Sequence, residues 1–143
     1  MSADQSLAFV DTNVLVYAYD RTAGQKRERA RSLLDQLWTA NSGCVSVQVL
    51  QEFYVAATQK VKKPLPQQAA ADIVRDLAFW RVHAPVAEDI LAAIDLQRRH
   101  KISFWDAMII WSASQLGCAT IWSEDLTARR TYDGVLVQNP FIP

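Results

Sequence analysis

The sequence contains little cysteine and no long apolar run. Its two cysteines, Cys44 and Cys118, show no Cys-x-x-Cys spacing and have no nearby histidine, which argues against a zinc site or a disulfide scaffold. We predict that both are reduced core residues.

No apolar run approaches the roughly 18 to 20 residues that span a bilayer. The start of the chain, MSADQSLAF, lacks the basic and apolar regions of a signal peptide, so we expect a cytoplasmic protein.

Glycine and proline are also scarce, with four and five residues, and no segment rich in Gly, Pro or Ser divides the chain. Internal repeats and low-complexity segments are missing as well. With 143 residues, half of them hydrophobic, the chain is long enough to bury a core. We therefore predict one domain spanning residues 1–143.

The sequence has no excess of either charge, because 15 basic residues balance 15 acidic ones. The distribution is uneven, however. Residues 21–31 (RTAGQKRERAR) carry Arg21, Lys26, Arg27, Arg29 and Arg31 against Glu28 alone. If several acids were gathered into one site, the remaining surface could still present a basic face to phosphate. The alternative is a solvated helix face.

Predicted strands and helices alternate along the chain. Strands are predicted at residues 7–11, 43–46, 82–86, 119–123 and 135–138. Helices are predicted at residues 13–19, 25–40, 47–61, 66–80, 87–100 and 103–116, with a helical turn at 126–132. This alternation is typical of βαβ units, which build an α/β fold with a mainly parallel sheet and helices on both faces. Ligands in such folds bind at the carboxyl ends of the strands.

Four acidic residues are candidates for a shared site. Asp11 and Asp125 follow predicted strands, whose carboxyl ends meet at one edge of a parallel sheet. Glu52 (VQVLQEFYV) and Asp106 (ISFWDAMIIW) lie among apolar helical neighbours, with no Lys or Arg three or four residues away. Because an unpaired buried carboxylate is costly, we expect a distant cation to neutralise them.

Each acid also has a structural explanation. Asp11 and Asp125 could cap helices, Asp106 could form a capping box with Ser103, and Glu52 could lie on the surface. One shared cause explains all four better. That cause is a hard divalent cation, Mg²⁺ or Mn²⁺, which prefers oxygen ligands and promotes phosphodiester hydrolysis.

Several segments together resemble the PIN-domain ribonucleases, in particular the VapC-type toxins of bacterial toxin–antitoxin pairs. They are FVDTNVLVYAYD, SVQVLQEF, SFWDAMIIWSA and WSEDL followed by YDGVLVQNPF. The resemblance implies a three-layer α/β/α sandwich with a parallel sheet of four or five strands. It also implies an endoribonuclease that depends on Mg²⁺ or Mn²⁺, an inhibitory antitoxin and commonly a homodimer, with DNA contacted only through the antitoxin.

The resemblance also assigns residues. Asp11, Glu52, Asp106 and Asp125 match the catalytic, metal-binding quartet, and Thr12, Asn13 and Ser123 match its supporting residues. Many relatives carry two acids spaced by one residue after the last of these strands, whereas here Glu124 and Asp125 are adjacent and Thr127 takes the later place. Glu124 therefore remains an alternative fourth ligand, and the number of metal ions stays open.

Other interpretations assign different roles to these residues. Arg21, Arg27 and Arg31 are candidates for seating an RNA backbone, and Trp105 is a candidate for base stacking. An aspartyl-nucleophile phosphatase would use Asp11 but needs a second Asp where Asn13 stands. A PIN-like protein that binds metal or a partner without catalysis is the third possibility. His83 and His100 are expected to be structural.

Overall fold

The computed structural model describes residues 6–142, which form a six-stranded sheet in the order β3-β2-β1-β4-β6-β5. The strands are β1 (Ala8–Val10), β2 (Gly43–Ser46), β3 (Arg81–His83), β4 (Thr120–Trp122), β5 (Thr131–Tyr132) and β6 (Val135–Gln138). Five strands are parallel and only β5 runs antiparallel. The predicted α/β fold with a mainly parallel sheet is confirmed, and β5 is an additional strand.

Six helices connect the strands. They are α1 (Thr12–Tyr19), α2 (Gln25–Ala40), α3 (Val47–Gln59), α4 (Gln67–Leu77), α5 (Ala87–His100) and α6 (Phe104–Gln115). The chain passes from β1 to β2 to β3 in one direction across the sheet, and then returns past β1 to β4. Because such crossovers are right-handed, α1 to α4 cover one face and α5 and α6 cover the other. None of the helices in residues 6–142 is long and apolar enough to span a membrane.

The predicted helical turn at residues 126–132 is wrong. Residues 131–132 instead form β5, which pairs with β6 across a tight turn at Asp133 and Gly134, where φ is 47° and 86°. Asp-Gly is a strong hairpin signal because both turn positions need positive φ. Arg99 donates to both carboxylate oxygens of Asp133 at 3.0 and 2.8 Å, which holds the hairpin against α5.

The functional site is positioned by the reversal of the chain at β1. β1 lies between β2 and β4, and the crossover from β1 to β2 and the crossover from β3 to β4 lie on opposite faces of the sheet. This arrangement opens a crevice at the carboxyl ends of β1 and β4. Asp11 follows β1 directly and Ser123 follows β4 directly, so both face this crevice. Ser46 and Ser103 precede α3 and α6 as their N-caps, and each hydroxyl accepts a hydrogen bond from a backbone N–H in the first turn.

Candidate functional site

Asp11 is the most buried of the four acids, with 8% of its surface exposed. It is the N-cap of α1 and accepts hydrogen bonds from Thr12 N and from Ser123 Oγ, each at 2.7 Å. Burial raises its pKa to about 6, which the bonds from Ser123 and Thr12 oppose and the charges of Asp125 and Glu52 reinforce. Asp11 therefore caps a helix and also carries a destabilised charge in the crevice.

The side-chain amide of Asn13 connects the two strand ends. Its Nδ2 donates to Asp125 Oδ2 at 3.0 Å and to Asp11 Oδ2 at 3.4 Å. Its Oδ1 accepts from Glu124 N at 3.0 Å. Ser123, which is fully buried, accepts from Asp125 N at 3.1 Å. These bonds bring the carboxylates of Asp11 and Asp125 to the same amide nitrogen.

Glu124 is held away from that point. Its carboxylate accepts a hydrogen bond from Tyr17 Oη at 2.7 Å and pairs with Lys26. Although partial burial alone would raise its pKa, the bonds from Lys26 and Tyr17 lower it below the usual value. Of the two adjacent acids, Asp125 is the one that lines the crevice cavity.

Glu52 and Asp106 contribute the other two carboxylates. Glu52, on α3, is exposed and accepts from Thr12 Oγ1 at 2.9 Å. Asp106 lies in the first turn of α6, where its backbone N–H donates to Ser103 Oγ at 3.1 Å. Its carboxylate accepts no hydrogen bond from residues 6–142, so only the backbone half of the expected capping box forms. The expectation that Glu52 and Asp106 lie on buried apolar faces is wrong for Glu52, which is exposed, whereas Asp106 is half-buried.

All four acids line one cavity of about 790 Å³ between α1, α3 and α6. One face of α3 forms a wall, with Gln48, Glu52 and Val55 recurring at helical spacing. None of the four carboxylates forms an ion pair with a Lys, Arg or His in the part of the chain that the structure describes. The four carboxylates therefore gather negative charge that no ion pair compensates.

The carboxylates suit a hard cation held partly through water. Within residues 6–142, no three His, Cys, Asp or Glu side chains lie close enough to hold one ion directly. Asp11 and Asp125 are the pair that converges, on Asn13. Mg²⁺ commonly keeps several waters and is bound through one or two carboxylates, so this pair fits it. An oxygen-only set does not suit zinc.

The predicted basic residues lie outside this cavity. Arg31 donates to the carbonyl of Ala18 at 3.1 Å, and Arg21 and Arg27 do not line the cavity either. The cations that do line it are Lys60 and Lys62. Sequence reasoning missed both, although the run QKVKKP marks a basic end to α3. His83 and His100 also lie elsewhere and contact Ser112 and Asp133.

The fold is shared by several solved structures. The VapC20 toxin of Mycobacterium tuberculosis, which cleaves the sarcin-ricin loop, has a TM-score of 0.62 at 19% identity, over 82% of this chain and 89% of its own. A toxin–antitoxin complex from Klebsiella pneumoniae gives 0.68 at 18%, over 94% and 98%. VapBC2 from Rickettsia felis, bound to a promoter DNA fragment, gives 0.66 at 20%, over 93% and 98%.

Sequence comparison identifies the family. No curated protein sequence matches this chain significantly. The PIN domain family, in contrast, matches residues 8–134, which include all four acids and their supporting residues. The chain therefore belongs to the PIN domain family.

Proposed function

We propose that this protein is a metal-dependent endoribonuclease and the toxin of a toxin–antitoxin pair. The observation that carries the proposal is the convergence of Asp11 and Asp125 on the Asn13 amide, in a cavity that Glu52 and Asp106 also line. Membership of the PIN domain family supports the nuclease activity. The fold shared with toxins and toxin–antitoxin complexes supports the cellular role.

In this proposal the four carboxylates hold Mg²⁺, or Mn²⁺ as a substitute, next to an RNA phosphate. A bound divalent cation makes water easier to deprotonate and stabilises negative charge on the phosphate. Asp11 and Asp125 would hold the ion directly, and Glu52 and Asp106 would hold it through water. Thr12, Asn13 and Ser123 hold the carboxylates in place by hydrogen bonds, as groups around a metal site usually do. Of the two adjacent acids, the proposal assigns Asp125 to the site, because Glu124 is engaged by Lys26 and Tyr17.

The side chain of Asn13 also distinguishes a nuclease from a phosphatase. Its Nδ2 donates to two carboxylates, which an Asp in this place could not do. A phosphatase with an aspartyl nucleophile needs a second Asp at this position, so the geometry favours the nuclease.

The same proposal includes a cognate antitoxin and a homodimer, with DNA contacted only through the antitoxin. Solved structures of similar fold contain antitoxins and, in one case, promoter DNA.

The proposal predicts that the purified protein cuts RNA only in the presence of Mg²⁺ or Mn²⁺. EDTA should stop cleavage and added Mn²⁺ should restore it, because the carboxylates alone cannot stabilise charge on the phosphate. In cells, expression of this chain without its neighbouring open reading frame should arrest growth, and mapped RNA ends should reveal the cleavage sites. Co-expression of the neighbouring frame should relieve the arrest.

Two other results would contradict the proposal. A protein that binds its antitoxin tightly but cuts no RNA with either ion would be a non-catalytic binding protein. A phosphoryl group trapped on Asp11 would identify a phosphatase.

A further inference from the structure

Trp105 is an exposed aromatic side chain in the wall of the acidic cavity. Its indole is 63% exposed, and it directly precedes Asp106 in the first turn of α6. Among residues 6–142 the exposed large aromatic side chains are Trp38, Phe79 and Trp105, and of these Trp105 alone lines the cavity. The exposed indole keeps apolar surface in contact with water. A group that covers the ring removes this surface from water, which favours binding.

The orientation of Trp105 is restrained by its neighbour. Phe104 contacts it edge to face, with ring centroids 5.0 Å apart at 75°. Phe104 is itself partly buried and packs against the core. A ring held in this way loses little conformational entropy when a planar group stacks on it.

Positive charge lies at another part of the same cavity. Lys60 caps the C-terminus of α3 and Lys62 lies in the segment that follows. Lys60 follows Glu52 by eight residues, or about 12 Å along the axis of α3. Neither lysine forms an ion pair with any described residue. The helix dipole favours a cation at Lys60 but does not account for Lys62.

We propose that three residues of this cavity position the RNA: an unpaired base stacks on Trp105, and Lys60 and Lys62 bind the neighbouring phosphates. The inference rests on the proposed nuclease function and names the residues that position the substrate at its site. The acids repel phosphate where no cation compensates them, so flanking lysines keep the strand in the cavity. A base can stack on an indole only when it is free of its own helix, which selects loops and single strands over duplexes.

Trp105→Ala is expected to raise KM for a short oligoadenylate of about 12 nucleotides by about 10- to 100-fold, the usual effect of losing one base–aromatic stack. The kcat should stay within about threefold, because Trp105 holds the substrate without touching the reacting atoms. Trp105→Phe should keep most of the affinity. Phe79→Ala, which removes an aromatic ring that is 81% exposed outside the cavity, is the matched control and should change nothing.

Lys60→Ala and Lys62→Ala should each reduce the slope of log affinity against log salt by about 0.7, because each removes one phosphate contact to a single strand. Lys63→Ala removes an exposed neighbouring lysine that does not line the cavity, and should leave the slope unchanged. Equal slopes for all three variants and the wild type would overturn the role of the lysines.

The stacking site would be overturned if Trp105→Ala left KM unchanged, or if both Trp105 variants lowered kcat to the same extent. Weaker antitoxin binding with unchanged RNA binding would likewise identify Trp105 as a protein contact. If the wild type cuts no RNA, fluorescence anisotropy of labelled oligoadenylate with Asp11→Asn and with Asp11→Asn/Trp105→Ala still tests the stacking site. Failure of the proposed function and failure of this inference are therefore distinguished.

Discussion

Asp11→Asn is expected to reduce RNA cleavage by about 10³-fold or more while leaving the fold intact. The substitution keeps the size of the side chain and one oxygen, which can still accept from Thr12 N, but it replaces the oxygen that accepts from Ser123 by an NH₂ group and removes the charge that binds the cation. Charge stabilisation by a metal ion contributes several kcal/mol, which corresponds to such a factor in rate. The measurement is single-turnover cleavage with saturating Mn²⁺, and growth arrest should disappear with the same variant.

The same substitution is expected to stabilise the protein when divalent ions are removed. In the folded chain the pKa of Asp11 is raised from 3.8 to about 6, chiefly by burial. Between these values the folded chain still binds a proton that the unfolded chain has released, so stability falls as the pH rises from about 4 to about 6. Above pH 6 the charge of Asp11 lowers the free energy of unfolding by its full amount, about 2 to 3 kcal/mol, because one pKa unit corresponds to about 1.4 kcal/mol.

In EDTA at pH 7.5, Asp11→Asn should therefore melt roughly 5 to 10 °C above the wild type, and the difference should vanish below about pH 4. Asp35→Asn removes an equal charge from an exposed position on α2 and should leave both melting temperature and cleavage unchanged. Full RNase activity in Asp11→Asn would refute the site. A lower melting temperature of Asp11→Asn than of the wild type at pH 7.5 would refute the conclusion that the buried charge of Asp11 destabilises the fold.

Asn13→Ala is expected to lower kcat about 10- to 100-fold, the usual effect of removing a group that orients metal ligands. It deletes the hydrogen bonds to Asp11 and Asp125 and the acceptor for Glu124 N at once. Without the amide, the two carboxylates separate because their charges repel. The Mn²⁺ concentration for half-maximal cleavage should rise, which a purely structural loss would not produce.

Asn41→Gly provides the matched control for this substitution. Asn41 is an exposed asparagine at the end of α2, in the left-handed conformation with φ 53° that glycine adopts easily. The Asn41→Gly variant should cleave RNA as fast as the wild type and should require the same Mn²⁺ concentration. Unchanged Mn²⁺ dependence in Asn13→Ala would show that the amide does not position the ligands.

The sequence predicted the parts of the site that follow from the strands. Asp11 and Asp125 lie at one edge because parallel strands present their carboxyl ends together. Alternation of strands and helices likewise led to the α/β fold. Both inferences use local patterns and a general rule of sheet topology, so a single chain was sufficient for them.

The parts that depend on long-range packing could not be predicted in this way. Asn13 contacts Asp125 across 112 positions, and Lys26 pairs with Glu124 across 98. No periodicity records such contacts, and so the sequence left Glu124 open as an alternative to Asp125. Glu52 lies on a helix with apolar neighbours, but its side chain faces an open cavity and is exposed, because that face of α3 is not covered by another layer.

The central claim is tested most directly by a titration with Mn²⁺. Binding is measured as the loss of the electron paramagnetic resonance signal of the free ion. The claim is that acids from distant parts of the chain bind a divalent cation at the carboxyl edge of the sheet. The account predicts that the wild type takes up Mn²⁺, that Mg²⁺ competes for it, and that Asp11→Asn weakens uptake at least about tenfold. Equal uptake by the wild type and Asp11→Asn, or none by the wild type, would contradict it.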